Sequence, residues 1–94
     1  MRSSHMGQAE FIKSLVKKTI HTTNYKKMLA LLRQIRIDAG LRQADLAELL
    51  HRDQTFVSKY ETGERRLDLL EVREICTAIR IPFIEFIKRL ERVL

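Results

Sequence analysis

Ninety-four residues, 45% apolar, 32% charged and only 6% aromatic, carry a formal net charge of +6, which already excludes several classes of protein. A chain this short buries about 60 to 65% of its unfolded surface, so it holds one core and stands to gain stability from a partner subunit. No run reaches the roughly 18 consecutive apolar residues of a membrane span, and the lone Cys76 with three scattered histidines supports neither an internal disulfide nor a zinc site.

Residues 1–6 show no periodicity and read as an expression remnant, with the native start at Met6. They are too short and too polar for a signal peptide, so a cytoplasmic location is expected. Over residues 7–23, Phe11, Ile12, Leu15, Val16 and Ile20 recur at three- and four-residue spacing with Lys13, Lys17 and Lys18 on other faces. That pattern predicts an amphipathic helix, whose apolar stripe needs a surface to cover it. Thr22, Thr23 and Asn24 offer capping side chains for a second helix, which carries Met28, Leu29, Leu32 and Ile35 and ends at Gly40 in a left-handed turn. Ala44, Leu46, Ala47, Leu49 and Leu50 predict a short helix ending near His51. Asp53 is placed to cap the next, over 53–62, with Phe56, Val57 and Tyr60 inward and Gly63 closing it. Asp68 caps a longer helix bearing Leu69, Val72, Ile75, Cys76 and Ile79, which Pro82 stops. Pro82 then suits the first turn of a last helix with a broad apolar face.

The basic excess lies in the first 66 residues, whereas residues 67–94 are balanced in charge. A basic front and a neutral apolar back suit a domain that faces phosphates on one side and protein on the other. Two short helices joined through His51, Arg52 and Asp53 meet at a steep angle, the geometry with which proteins place a helix in the major groove. Several spaced residues reinforce this: Ala39-Gly40-Leu41-x-Gln43 and Leu46-Ala47, then Gln54-x-x-Val57-Ser58-Lys59-Tyr60-Glu61-x-Gly63-x-Arg65. Over roughly residues 26–90 the sequence resembles the Cro and phage-repressor (XRE) family of DNA-binding domains.

The resemblance implies an all-α, five-helix, lambda-repressor-like domain over residues 25–94, with residues 7–24 as an additional amphipathic helix. It also implies a sequence-specific regulator of transcription, a repressor or controller. Gln54, Thr55, Ser58 and Lys59 fall at or beside the base-reading positions. A Gln amide pairs with adenine N6 and N7, Lys donates to guanine, and Thr or Ser pairs either way. Gln43 sits at the first turn of its helix, where an amide and free backbone N–H groups hold a phosphate. Arg42, Thr62, Arg65 and Arg66 are further backbone contacts, with Lys26 and Lys27 weaker ones. Arg36 and Glu61 are assigned to a partly buried structural ion pair rather than to DNA. Phe56 has two readings, core residue under the turn or apolar contact to thymine methyls.

Two departures from the family pattern stand out. Arg42 occupies the position of a Ser or Thr cap, at a loss of about 1 kcal/mol. His51-Arg52 replaces the usual Gly-Val or Gly-Ile turn, so His51 is strained as a left-handed residue and Arg52 fills an apolar slot only with its stem.

No cysteine–histidine pair, Gly-rich phosphate loop, HExxH or nucleophile elbow is present in the sequence, so an enzyme is not expected, nor a cofactor or metal. Cys76 lies on an apolar stripe and reads as core. The last helix is apolar on more than one face, and Phe83, Phe86, Ile87, Leu90 and Leu94 are assigned to a homodimer interface. Such a dimer would meet a near-palindromic double-stranded operator with its two reading helices about 34 Å apart. Alternative readings are an antitoxin whose extra helix grips a toxin, and a protein-interaction adaptor of the same fold that reads no bases.

Overall fold

The apolar periodicities resolve into five helices in the computed structural model, which describes residues 23–94. These are α1 (Tyr25–Asp38), α2 (Gln43–Leu50), α3 (Gln54–Thr62), α4 (Leu69–Ile79) and α5 (Phe83–Val93), and there is no strand among the described residues. The architecture is all-α. The helix predicted over residues 7–23 lies outside the described residues, except for its last position.

Each helix turns one apolar stripe inward. Leu29, Leu32 and Ile35 of α1, Leu46 and Ala47 of α2, and Val57 and Tyr60 of α3 meet Val72, Ile75 and Cys76 of α4 in a single core. Tyr60 is fully buried, and so are Leu32, Leu46, Val57 and Ile75, these four each worth about 1.5–3 kcal/mol of transfer free energy on the usual area scale. Burial pushes the Cys76 thiol up to about 11, which makes it an inert core residue at neutral pH. Phe86 of α5, expected at a dimer interface, is 1% exposed and completes this core instead. Its ring stacks near that of Phe83, and the helix places it on the inward side while Ile84 and Leu94 stay exposed.

Three helix ends close in one pattern. After α1, α2 and α4, the N–H groups of Leu41, Arg52 and Ile81 reach back five residues to the carbonyls of Arg36, Ala47 and Cys76. The residue before each of the three, Gly40, His51 and Arg80, is left-handed, as this closure demands. Leu41 and Ile81 are apolar where the motif favours an apolar contact; Arg52 is the exception.

The helix starts differ from expectation at two places. Asn24 is itself right-handed helical and makes no side-chain cap, and Asp53 sits at the cap position of α3 without accepting a capping bond from its side chain. Asp68 does cap α4: its carboxylate accepts from the Glu71 N–H at 2.7 Å, and Glu71 Oε1 accepts from the Asp68 N–H at 3.0 Å. No helix among the described residues is long and apolar enough to cross a membrane.

Candidate nucleic-acid interface

The sequence of α3 divides it cleanly. Phe56, Val57 and Tyr60 are buried, whereas Gln54, Thr55 and Lys59 are exposed and Ser58 is half-buried. Burying the apolar stripe at 56, 57 and 60 turns positions 54, 55, 58 and 59 toward solvent, because residues three and four apart share a helix face. The Ser58 hydroxyl donates to the Thr55 carbonyl at 3.3 Å, and Thr62 donates to the Lys59 carbonyl at 3.0 Å. The Ser58 oxygen is still able to accept, whereas that of Thr62 already accepts from the Glu64 N–H at 3.4 Å.

Of the two readings of Phe56, the structure takes the core one: the residue is 9% exposed and its ring meets Tyr60 edge-on at 5.4 Å between centroids. Two arginines then close over it. The Arg52 guanidinium lies 4.2 Å and that of Arg65 4.8 Å from the ring centroid, a favourable arrangement of cation and aromatic face. Arg52 therefore answers the apolar slot left by the missing Val or Ile with its charged end stacked on Phe56. His51 takes the left-handed turn at φ 57° and ψ 45°.

Arg65 does not stand free toward a phosphate. Its Nη1 and Nη2 donate to Glu71 Oε1 and Oε2 at 3.1 and 2.8 Å, and Nη1 also donates to the Arg66 carbonyl. Arg52 Nη2 lies 3.7 Å from the same carboxylate. The Arg65 guanidinium, together with the Asp68 N–H, holds the Glu71 carboxyl below its ordinary range. Arg66 packs its guanidinium 4.4 Å over the Tyr25 ring, and the Tyr25 hydroxyl accepts from the Leu67 N–H at 3.0 Å. Arg65 remains beside α3, where it lines an open concavity of about 290 Å³ with Arg52, Asp53, Thr55, Phe56 and Lys59, whereas Arg66 lines another with Tyr25, Leu69, Val72 and Phe83.

At the other end of the interface, the Gln43 side chain donates to Glu61 Oε1 at 2.9 Å. It thus joins the Arg36–Glu61 pair, in which Arg36 Nε donates to Glu61 Oε2 at 2.7 Å and Nη2 to Oε1 at 3.1 Å. This uses one of the two Gln43 amide N–H groups; the other N–H and the amide oxygen are still able to bond. Arg42, in the place of a hydroxyl cap, forms a two-pronged pair with Asp45 through Nε and Nη2 at 3.0 and 2.9 Å. The Asp45 carboxylate also accepts the Arg42 backbone N–H at 2.8 Å. The cap is rebuilt from the third residue of the helix, and these bonds hold the Asp45 carboxyl down at about 2.

Glu71, Tyr25 and the ring contact of Arg52 were not singled out from the sequence. Asp68-x-x-Glu71 is the spacing of a reciprocal cap, a signal within reach; Tyr25 and Arg52 meet their partners only through the tertiary fold. Among the described residues no group of three or more His, Cys, Asp or Glu could hold a metal ion.

A family model described as a helix-turn-helix domain matches residues 28–85. Among solved structures, an XRE-family like protein from Pseudomonas syringae pv. tomato str. DC3000 is 42% identical with a TM-score of 0.75, over 82% of this chain and 94% of that one. The wild-type restriction-modification controller protein C.Esp1396I superposes with a TM-score of 0.71 at 24% identity, over 76% of this chain and 91% of that one. A point mutant of that controller gives the same TM-score at 25% identity, over 77% and 91%. No curated protein matches the chain.

Proposed function

The chain belongs to the XRE-type family of helix-turn-helix proteins and is a DNA-binding transcriptional regulator, and we propose that its domain of residues 25–94 reads a specific operator with α3 in the major groove. The single observation that carries this is the division of α3: Phe56, Val57 and Tyr60 anchor it in the core, so Gln54, Thr55, Ser58 and Lys59 share the outward side. Those side chains have the hydrogen-bonding capacity to tell base pairs apart in the major groove. Backbone contacts are assigned to Gln43 and the N–H groups at the start of α2, and, as the family resemblance implies, to Arg42, Thr62, Arg65 and Arg66, contacts that fix register without reading sequence.

The proposed regulator acts as a repressor or controller and binds as a homodimer. In its favour, α5 leaves Ile84, Val93 and Leu94 at 67, 42 and 50% exposure, beside half-buried Phe83, Ile87 and Leu90. Two copies joined there would present two reading helices to a near-palindromic site.

The test is selection of bound fragments from random DNA, followed by titration of the selected site over a range of salt. The expected result is a preference of ~10³ or more over random DNA with a steep logarithmic fall in salt. Gln54→Ala relaxes the preference at one base position by about 1–3 kcal/mol, while Arg66→Ala weakens all sequences alike. Equal binding of selected and random DNA overturns the proposal.

A further inference from the structure

We propose that Glu71, a residue of α4 that faces no DNA in the reading above, is a positioning residue that sets the aim of α3 by clamping both of its flanking segments onto Phe56. The inference rests on α3 being the reading helix and adds how that helix is held. Three observations converge on one carboxylate. Glu71 Oε1 and Oε2 take both prongs of Arg65, from the loop that follows α3. Oε2 faces Arg52, from the turn that precedes it, at 3.7 Å. Oε1 also accepts the Asp68 N–H that starts α4, so the carboxylate is anchored to its own helix, and the Glu71 side chain is only 14% exposed.

The two arginines so held are the two that lie over the Phe56 ring, and Phe56 is the buried residue between Thr55 and Val57 in α3. Pulling on the turn, the ring and the loop together, Glu71 limits rotation of α3 about its own axis. Such rotation matters because base recognition needs donors and acceptors placed within a few tenths of an ångström, whereas phosphate contact tolerates more. The Arg65 N–H, bonded to the Lys59 carbonyl at 3.1 Å, ties the loop to the last turn of α3 in the same sense.

A charge-only role and a positioning role make opposite forecasts for Glu71→Gln. Removing an anion from a group of cations tightens binding to any DNA through the phosphates. Loosening the clamp lowers discrimination. The experiment measures the affinity of the full chain for its best selected sequence and for random DNA, for wild type and Glu71→Gln side by side. The expected result is a fall of about tenfold in the ratio of the two affinities, comparable with the loss of one base contact, while random DNA is bound as well as before or better. A merely structural role cannot produce this, because a smaller folded fraction scales both affinities and cancels in the ratio. Where Glu71→Gln is not folded at the assay temperature, Glu71→Asp, which withdraws the carboxylate by one methylene, is judged by the same ratio. A wild type that discriminates beside a variant that discriminates equally overturns the role of Glu71 alone. A wild type without any sequence preference overturns the reading of α3 as well.

Discussion

Arg36 and Glu61, 25 positions apart, meet in a two-pronged ion pair with side chains only 8 and 3% exposed. The arginine is further fixed by its Nη1 donating to the Leu41 carbonyl at 2.7 Å. Glu61 collects three groups in all, since Gln43 donates to it and Arg33 lies 4.0 Å away. One buried carboxylate thus joins the long helix α1, the start of α2 and the end of α3.

Arg36→Met removes the one cation inside that arrangement and leaves Glu61 buried with an amide and a solvent-exposed arginine. The expected loss is about 3–5 kcal/mol, the usual cost of stranding one member of a buried pair. Urea unfolding of the single mutant checks it. The double substitution of Arg36→Met with Glu61→Leu is expected to recover much of the loss, since no unpaired charge then remains.

Phe56→Ala opens a cavity under the turn and deprives Arg52 and Arg65 of the ring they cover. The expected destabilisation is about 3–5 kcal/mol, as for other buried phenylalanines. Chemical denaturation measures it directly. A stability unchanged by the substitution would mean that the ring lies outside the core.

Arg80→Gly relieves a left-handed residue, φ 70°, at the end of α4. Glycine adopts that conformation without a Cβ clash, so a gain of about 0.5–1 kcal/mol is expected, net of the larger backbone freedom of the unfolded chain. The melting temperature should rise. Arg80 is the better site for the test than His51, which is left-handed too but borders the proposed interface.

Asp45 supplies the pH dependence. Its carboxyl is lowered from 3.8 to about 2, chiefly by the side-chain hydrogen bonds from Arg42 and then by that from the Arg42 backbone. A group whose folded value is depressed stabilises the fold above its unfolded value and ceases to do so as pH falls through the folded one. The contribution is therefore complete above about pH 4 and is lost on acidification toward pH 2. Carboxyl carbon resonances followed by NMR should show Asp45 titrating near 2, and Arg42→Met should move that midpoint back toward 3.8. A midpoint already near 3.8 in the wild type would show the pair to be unformed in solution.

Much of this was legible in the chain, for particular reasons. The starts and ends of α2 and α4 were readable because their signals are local: apolar residues at three- and four-residue spacing, a capping aspartate at 68, a proline at 82. The outward side of α3 was readable because the buried stripe at 56, 57 and 60 fixes it by helical geometry. Asp53 misled because a residue of the right type at a cap position still needs its side chain turned toward the helix, which composition does not report. Phe86 misled for a related reason: a helix apolar on two sides does not state which of them meets the core.

What the sequence determines by itself is whatever depends on neighbours within a turn or two: five helices, their order, the closures at Gly40, His51 and Gly63 but not the left-handed Arg80, and the polar identity of the face that α3 presents. Beyond the Arg36–Glu61 pair, which the family resemblance already implies and the structure contains, tertiary structure decides how the charges around α3 are shared. Arg65 lies six residues from Glu71 with a loop between them, Arg52 reaches the same carboxylate from the opposite end of α3, and Gln43 turns to Glu61. Ionic partners are chosen by distance in space and by the cost of leaving a charge unpaired, and neither quantity exists until the helices have packed.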